Sequence, residues 1–416
     1  MRIALVYHRF HPNPGGVETY VRKLAEQYAA SGHRAAVFTS EPYYSSDLRS
    51  GKTPHDQNFL NTRENRQATG DPEILRTQKD GIRVPGGSAK TAGYEVHYIR
   101  TKTFLGYPLP LKKDLALLEK FNPDIIHVNS PHPYSTSFAF HSRKLKKPVI
   151  TTYHGHANPA NRFKKAASVM EHHLYRLLFK LLIVTSDYYK NEVSAFYPPA
   201  KISTVPLGID PAFGNCALTR REARDALDIG HNRKIVLFVG AMDAAHYYKG
   251  LNYLLECAAR TPDIEYLVVG SGAEKPYFEK NGAAMSNVTF CGFVEDDKLP
   301  LFYRAADCLA LPSTSNSEGF GLVLLEAMAS GTPVITTGAT GSAGLIRSSG
   351  AGLIVKAKDT HSLKEGIIKI LGDGVLRSEL VANGLALAKP LTWANTARKT
   401  LQIYDKLIRE NRHRKN

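Results

Sequence analysis

Several things are missing from this sequence, and each absence closes off a class of function. No apolar run approaches the roughly 18 residues that a membrane-spanning helix needs. The opening Met1-Arg2-Ile3-Ala4-Leu5-Val6 turns polar at once, so it reads as a buried first strand and not as a secretory leader. Cysteine is scarce: Cys216, Cys257, Cys291 and Cys308 show no paired metal spacing and no disulfide framework, which suggests reduced thiols and a cytoplasmic protein. Gly15-Gly16 is not followed by Gly-Lys-Ser/Thr, which excludes a P-loop. Gly270-Ser271-Gly272 has Lys275 where a dinucleotide fingerprint would place its third glycine. Glu295-Asp296-Asp297 is not a D-x-D triplet and reads as a solvated acidic turn. No nucleic-acid recognition module is present, so no nucleic-acid partner is expected.

Acids are also in short supply, with 38 Asp+Glu against 54 Lys+Arg and a net charge of +16. The imbalance is local: residues 1–200 carry +12, residues 211–392 carry −1, and residues 393–416 carry +5. A basic first half and tail suit an anionic partner, such as a lipid diphosphate or an anionic membrane surface, or simply serve solubility. At 416 residues, 43% hydrophobic and 22% charged, the chain is globular and too long for one ordinary core.

Short apolar runs alternate with helical periodicity throughout. Strands are expected at Ile3–Tyr7, Ala35–Thr39, Val96–Arg100, Ile125–Val128, Val149–Tyr153 and Leu182–Thr185. A second series follows at Ile235–Val239, Glu265–Val269, Val288–Cys291, Cys308–Leu311, Pro333–Thr336 and Gly352–Val355. Helices are expected at Val17–Ala30, stopped by Gly32, and near 250–259, 298–306, 321–330 and 361–371. This alternation predicts two doubly wound parallel sheets, over 1–204 and 205–392, joined near Val205-Pro206-Leu207-Gly208-Ile209-Asp210. A polar stretch over about 41–91 breaks the rhythm and reads either as an acceptor lid or as a plain surface insertion.

The densest motif is Glu318-Gly-Phe-Gly-Leu-Val-Leu-Leu-Glu326-Ala-Met-Ala-Ser-Gly-Thr-Pro-Val-Ile335. The glycines permit backbone N–H groups to approach a ligand, and the helix that follows offers free donors and positive potential to a diphosphate. Glu318, on the loop, can accept from sugar hydroxyls. Glu326, among leucines, either accepts from a vicinal diol such as ribose or caps neighbouring backbone; unpaired, its burial is costly. Gly15-Gly16 sits between the first strand and the first helix. His154 and His156 follow a strand, at the end where open α/β sheets bind ligands. His127, Asn129 and His132 occupy another strand end and are candidates to line an acceptor cleft.

With these residues in place, the chain resembles the retaining nucleotide-sugar glycosyltransferases of family four, which have the GT-B fold: two Rossmann-like domains facing a cleft. The likeness extends over most of the chain and is sharpest in E-x7-E around Gly-Phe-Gly. The resemblance implies that Glu318 contacts the transferred sugar and Glu326 the ribose. It implies that amides around Gly319, Phe320, Gly321 and Leu322 face sugar and diphosphate, and that the Gly15-Gly16 loop closes over the donor. It places His154 near the reacting carbon and Lys249 on the diphosphate. Where the family carries an arginine beside that lysine this chain has Ala241; His246 is the candidate substitute, with a neighbour from the other domain or a basic residue such as Arg22 as the alternative. The acid-bearing glycine loop of many relatives is replaced by Gly-Ala-Thr-Gly-Ser-Ala-Gly-Leu-Ile, residues 338–346.

The implied reaction moves a hexose from a GDP- or UDP-sugar to an acceptor hydroxyl of a glycan or lipid-linked glycan. It retains configuration, and helix termini and basic side chains stand in for a metal and any other cofactor. The setting is polysaccharide or glycolipid synthesis, at the inner face of a membrane if the basic lobe holds an anionic lipid-linked acceptor. Residues 162–182 are the candidate contact stretch, or an ordinary packed helix. The final segment, 393–416, is expected to pack back on the first domain. A sugar-nucleotide epimerase or phosphorylase-like enzyme on the same fold, or a non-catalytic sugar-nucleotide binder, are the alternatives.

Overall fold

The computed structural model describes residues 1–10, 15–40, 88–90, 93–104, 107–155 and 173–413. The expected insertion at 41–91 lies almost wholly outside these residues, as do His156 and most of the 162–182 stretch. The chain divides into two compact units: Met1–Thr185 with Lys190–Val205 and Thr396–Asn416, and Ser186–Tyr189 with Pro206–Asn395. No described helix is long and apolar enough to cross a membrane.

The first unit is built on strands β1 (Arg2–Val6), β2 (Arg34–Ser40), β3 (Ser88–Lys90), β4 (Glu95–Ile99), β7 (Ile125–Ser130), β8 (Val149–Tyr153), β9 (Leu182–Val184) and β10 (Ile202–Thr204). Their order is β10-β9-β8-β7-β1-β2-β4-β3. Every pairing is parallel except that of β3 with β4, so an antiparallel edge departs from the expected all-parallel sheet. A separate antiparallel hairpin, β5 (Thr101–Phe104) and β6 (Tyr107–Pro110), carries no period-two alternation in its sequence and was not expected. The parallel strands are covered on both faces, so β1 is a nearly continuous apolar run and β7 and β8 are buried at every residue, their polar side chains included.

Helix α1 (Gly16–Ala30) buries Tyr20, Val21, Leu24, Ala25 and Tyr28, a stripe at i, i+1, i+4, i+5 and i+8 that fits helical spacing. It ends where Gly32 adopts φ +76° and donates to Ala29 O, with His33 N returning to Tyr28 O. Helix α2 (Pro133–Ser142) follows β7, with proline in its first turn.

The second unit holds β11 (Lys234–Val239), β12 (Ile264–Val269), β13 (Val288–Gly292), β14 (Cys308–Leu311), β15 (Val334–Thr337) and β16 (Gly352–Val355). They are all parallel, in the order β13-β12-β11-β14-β15-β16. The order runs outward in both directions from β11 and β14, which makes their C-terminal ends a topological switch point. The equivalent reversal in the first unit falls between β1 and β7. The connecting helices include α3 (Arg220–Ala226), α4 (Leu251–Ala259), α5 (Leu299–Ala305), α6 (Leu322–Ala329), α7 (Thr360–Gly372) and α8 (Gly374–Ala388).

The last helix, α9 (Trp393–His413), starts in the second unit and ends in the first. Where it leaves, Ile209 bridges Thr392, and a Cβ on Gly208 would stand 2.3 Å from Trp393 N, so only glycine fits that crossing. Within the first unit Tyr404 of α9 bonds Tyr28 at 3.0 Å and His127 at 2.5 Å.

Candidate active site

Both switch points carry the residues singled out from the sequence. In the second unit the loop after β14 leads through Glu318 to α6, and the loop after β11 leads through Lys249 to α4. Gly321 caps α6 at φ +73°, a left-handed conformation that favours glycine, and no side chain caps the first turn. Phe320 beneath it is 4% exposed and anchors the turn.

Glu318 is buried, and its Oε2 accepts from Lys249 Nζ at 2.8 Å. A lysine ammonium has three donors, so this pair leaves Lys249 able to meet a second anion. The stem of Lys249 lies over Gly240, where a Cβ would come within 2.8 Å of its Cδ. Gly250 closes the loop at φ +76°, and a Cβ there would stand 2.2 Å from Pro312 O. Thr314 N donates to Tyr248 O at 2.7 Å, so the β11 and β14 loops are laced together around the ion pair.

The glycine loop at 338–346 braces the same turn. Gly341 N donates to Glu318 O at 3.2 Å, and a Cβ on Gly341 would lie 1.8 Å from Gly319 O and 2.7 Å from the Tyr189 ring. Tyr189 donates to Asn316 O at 3.0 Å and to Glu318 O at 3.3 Å. The Gly-Phe-Gly backbone is thus held from below by carbonyl contacts.

Glu326, one turn into α6, accepts from the Tyr303 hydroxyl of α5 at 2.7 Å. It is partly exposed as a residue, yet burial of its carboxyl, helped by Asp296 and Asp210, pushes it up to about 7 against the pull of Tyr303 and Lys249. One carboxylate oxygen is therefore fixed by Tyr303. Capping of neighbouring backbone, the other expectation for this glutamate, is not among the bonds its carboxylate makes with the described residues.

His246 does not stand as a free cation: its Nδ1 lies 2.7 Å from Asp243 Oδ1, which also caps the 3₁₀ turn Ala244–Lys249 through His246 N. Ala241 offers no charge, so Lys249 is the cation closest to Glu318 in this pair of loops. Gly270-Ser271-Gly272 has a structural task. A Cβ on Gly270 would come 1.9 Å from Gly240 O and one on Gly272 2.2 Å from Met242 O, so both are glycine because the β12 loop abuts the β11 loop.

In the first unit Gly15 precedes α1 in an extended conformation, and a Cβ there would be 2.2 Å from Glu18 Oε2. Glu18 is buried and pairs with Arg9 at 3.5 Å. His154 follows β8 and donates from Nε2 to Asn129 Oδ1 at 2.8 Å, because Asn129 Nδ2 is turned to Val6 O. Burial pushes His154 down to about 3, so it is neutral and its Nδ1 can accept from a hydroxyl.

His127 is a correction to the expected acceptor cleft: it is fully buried, bonded to Tyr404 and to Thr152 Oγ1 at 2.7 Å, and serves the core under α9. His132 caps α2 by accepting from Tyr134 N at 3.1 Å and stacks on His8 with ring centroids 3.5 Å apart. Tyr303 and Tyr189, the partners of Glu326 and Glu318, were not foreseen, because an aromatic on a buried helix face has no marking that sets it apart from core; Asn129, expected to line an acceptor cleft, is instead fully buried and holds His154.

Comparison with known proteins adds an independent line. The family model "Glycosyltransferase Family 4" matches residues 14–213, and "Glycosyl transferases group 1" matches residues 219–386. An uncharacterized glycosyltransferase of Methanocaldococcus jannaschii is 26% identical, covering 97% of this chain and 98% of that protein. Phosphatidyl-myo-inositol mannosyltransferase of Mycolicibacterium smegmatis is 25% identical, covering 97% and 94%. Among solved structures, sucrose-phosphate synthase from Thermosynechococcus elongatus superposes with a TM-score of 0.76 at 23% identity, covering 98% and 99%. Anabaena HepE in complex with UDP-glucose gives 0.72 at 17% identity, covering 98% and 100%. With consecutive family matches spanning both halves and full-length likeness of fold, the chain is a family-four-like glycosyltransferase of GT-B fold.

Proposed function

We propose that this glycosyltransferase moves a hexose, with retention of configuration, from a UDP- or GDP-sugar to an acceptor hydroxyl on a glycan or lipid-linked glycan. The observation that carries the reading is the Lys249–Glu318 pair at the glycine-initiated start of α6, with Glu326 held by Tyr303 one turn further on. In this reading the first-turn amides of α6 and Lys249 take the donor diphosphate, Glu318 the sugar and Glu326 the ribose. His154 accepts from a sugar hydroxyl, and the Gly15-Gly16 turn contacts the donor. Charge grows on the diphosphate as the glycosidic bond lengthens, so oriented amides and the ammonium stabilise the transition state more than the ground state. In this reading transfer is a displacement on one face, as the family resemblance implies, with a donor phosphate oxygen taking the acceptor proton. The names of relatives acting on inositol-containing molecules support an alcohol acceptor of that kind.

The test is a donor panel of UDP-, GDP- and ADP-sugars, assayed for hydrolysis and transfer. Turnover of one donor that disappears in Glu318→Ala supports transfer. Donor binding without turnover under any acceptor makes the protein a non-catalytic binder.

A further inference from the structure

His127 has no part in the reading of the donor site, yet both of its nitrogens belong to a chain of buried hydrogen bonds in the first unit. Tyr404 of α9 meets Tyr28 of α1 at 3.0 Å and His127 Nδ1 at 2.5 Å. His127 Nε2 meets Thr152 Oγ1 of β8 at 2.7 Å, and that oxygen meets the Tyr20 hydroxyl of α1 at 3.0 Å. None of these five side chains is more than 1% exposed. Burial pushes His127 down to about 3, so its ring is neutral, with one donor and one acceptor nitrogen. The hydroxyls on either side can take both roles, so the chain closes whichever tautomer is present.

The chain ends against His154. The Tyr20 ring stands edge-on to that imidazole, with centroids 4.9 Å apart and planes at 74°. Asn129 holds His154 from a second direction; its amide is set by Val6 O, and its own carbonyl accepts from Ser135 Oγ at 2.5 Å. Polar groups buried this deeply lose hydration, and their hydrogen bonds offset that loss with little net stability. Apolar side chains of similar size could fill the same core. What the chain adds is orientation: the Tyr20 ring cannot swing away from His154 without giving up Thr152, and Thr152 is itself held by His127.

We propose that Tyr20 is a positioning residue for His154, held in place by Thr152 and His127, so that a buried chain anchored on α9 fixes the imidazole with Nδ1 left for the transferred sugar. This rests on the reading of His154 as a residue that accepts from a sugar hydroxyl.

The experiment compares full-length wild type with Thr152→Val, Thr152→Ser, Tyr20→Phe, Tyr28→Phe and His154→Gln. Thr152→Val keeps the shape and removes the oxygen shared by Tyr20 and His127, whereas Thr152→Ser keeps that oxygen. Tyr28→Phe removes a bond at the far end of the chain and leaves the part that reaches His154 intact. With the donor that the panel selects, Thr152→Val and Tyr20→Phe should lower kcat about tenfold and leave the donor KM within about twofold, while Thr152→Ser and Tyr28→Phe turn over as wild type. A second readout needs no turnover: nitrogen NMR of histidine-labelled protein, with the His154 signal identified by its loss in His154→Gln. Wild type, Thr152→Ser and Tyr28→Phe should show one neutral tautomer protonated at Nε2; in Thr152→Val and Tyr20→Phe the signal should broaden or move toward a mixture. An unchanged His154 signal in Thr152→Val overturns the proposal. So does full turnover in Thr152→Val beside an inactive His154→Gln, or an equal loss of turnover in Tyr28→Phe, which would make the chain a packing element. A disturbed signal in Thr152→Val, with His154→Gln as active as wild type, sustains the positioning of the imidazole and contradicts the reading of His154 as a sugar contact.

Discussion

Glu326 carries a titration that its setting imposes. Its carboxyl rises from 4.5 to about 7, so between those values the folded chain keeps a proton that the unfolded chain has shed. Stability from this group is therefore full below the lower value, declines as pH rises through the window, and is lost above it. The total is on the order of 3 kcal/mol. His127 and His154, both held near 3, impose the opposite slope on acidification, so the comparison must be with a variant. Glu326→Gln removes this term, so the stability of the variant minus that of wild type should rise as pH goes from 4 to 8 in paired urea-denaturation series; parallel series would contradict the assignment.

At Glu318 and Lys249 each charge is the other's partner in a buried setting. Removing the lysine strands the acid, so Lys249→Met should cost about 3 kcal/mol in stability as well as activity, read by chemical denaturation. The double variant Lys249→Met/Glu318→Gln should recover much of the stability and none of the turnover. Glu318 and Glu326 stand out in the sequence because acids in glycine-rich or apolar runs need a reason, whereas Lys249 is marked only by the family resemblance. Tyr303 does not stand out and Asn129 does so only as an acceptor-cleft candidate, because their roles as partners of Glu326 and His154 arise from tertiary approach across 23 and 25 positions.

Among elements, the start of α6 depends on a loop that follows β15. Gly341 meets Gly319 O with no room for a methyl group, whereas Gly344, in the helix Ala343–Ser349 that follows, has nothing within 4 Å. Gly341→Ala should push the Gly319–Gly321 turn out of place, weakening nucleotide affinity at least tenfold while far-UV circular dichroism stays unchanged. Gly344→Ala should bind as wild type. Equal affinity for both variants would remove the brace from the account. The parallel strands other than β10, and helices such as α1 and α7, could be read in advance, since buried strands leave short apolar runs and α1 leaves a clear stripe; β10, α2 and α8 were not among the expected elements. The antiparallel edge β3 and the β5–β6 hairpin could not, because pairing at an edge leaves no such run. The glycines of 338–346 and 270–272 were visible as motifs, but their reason, close approach to neighbouring loops, exists only in three dimensions.

Over the whole molecule, charge is divided between the two halves of the sequence: +12 over residues 1–200 and +5 over residues 393–416, against −1 over residues 211–392. Association with an anionic surface would then be electrostatic and screened by salt. Sedimentation with anionic vesicles should be strong at low salt and fall steeply as salt rises; equal binding to neutral vesicles at any salt would reduce the charge to a solubility role. The fold class was legible in the alternation along the chain and the family most sharply in one stretch, 318–335, whereas donor base, sugar and acceptor leave no comparable mark. The central claim is that the glycine-started helix α6 and its two glutamates grip the donor. Hydrogen–deuterium exchange with UDP and GDP tests it most directly. The account predicts that whichever nucleotide binds slows exchange of the amides from Gly319 to Val323; a nucleotide that binds and leaves those amides unprotected would contradict it.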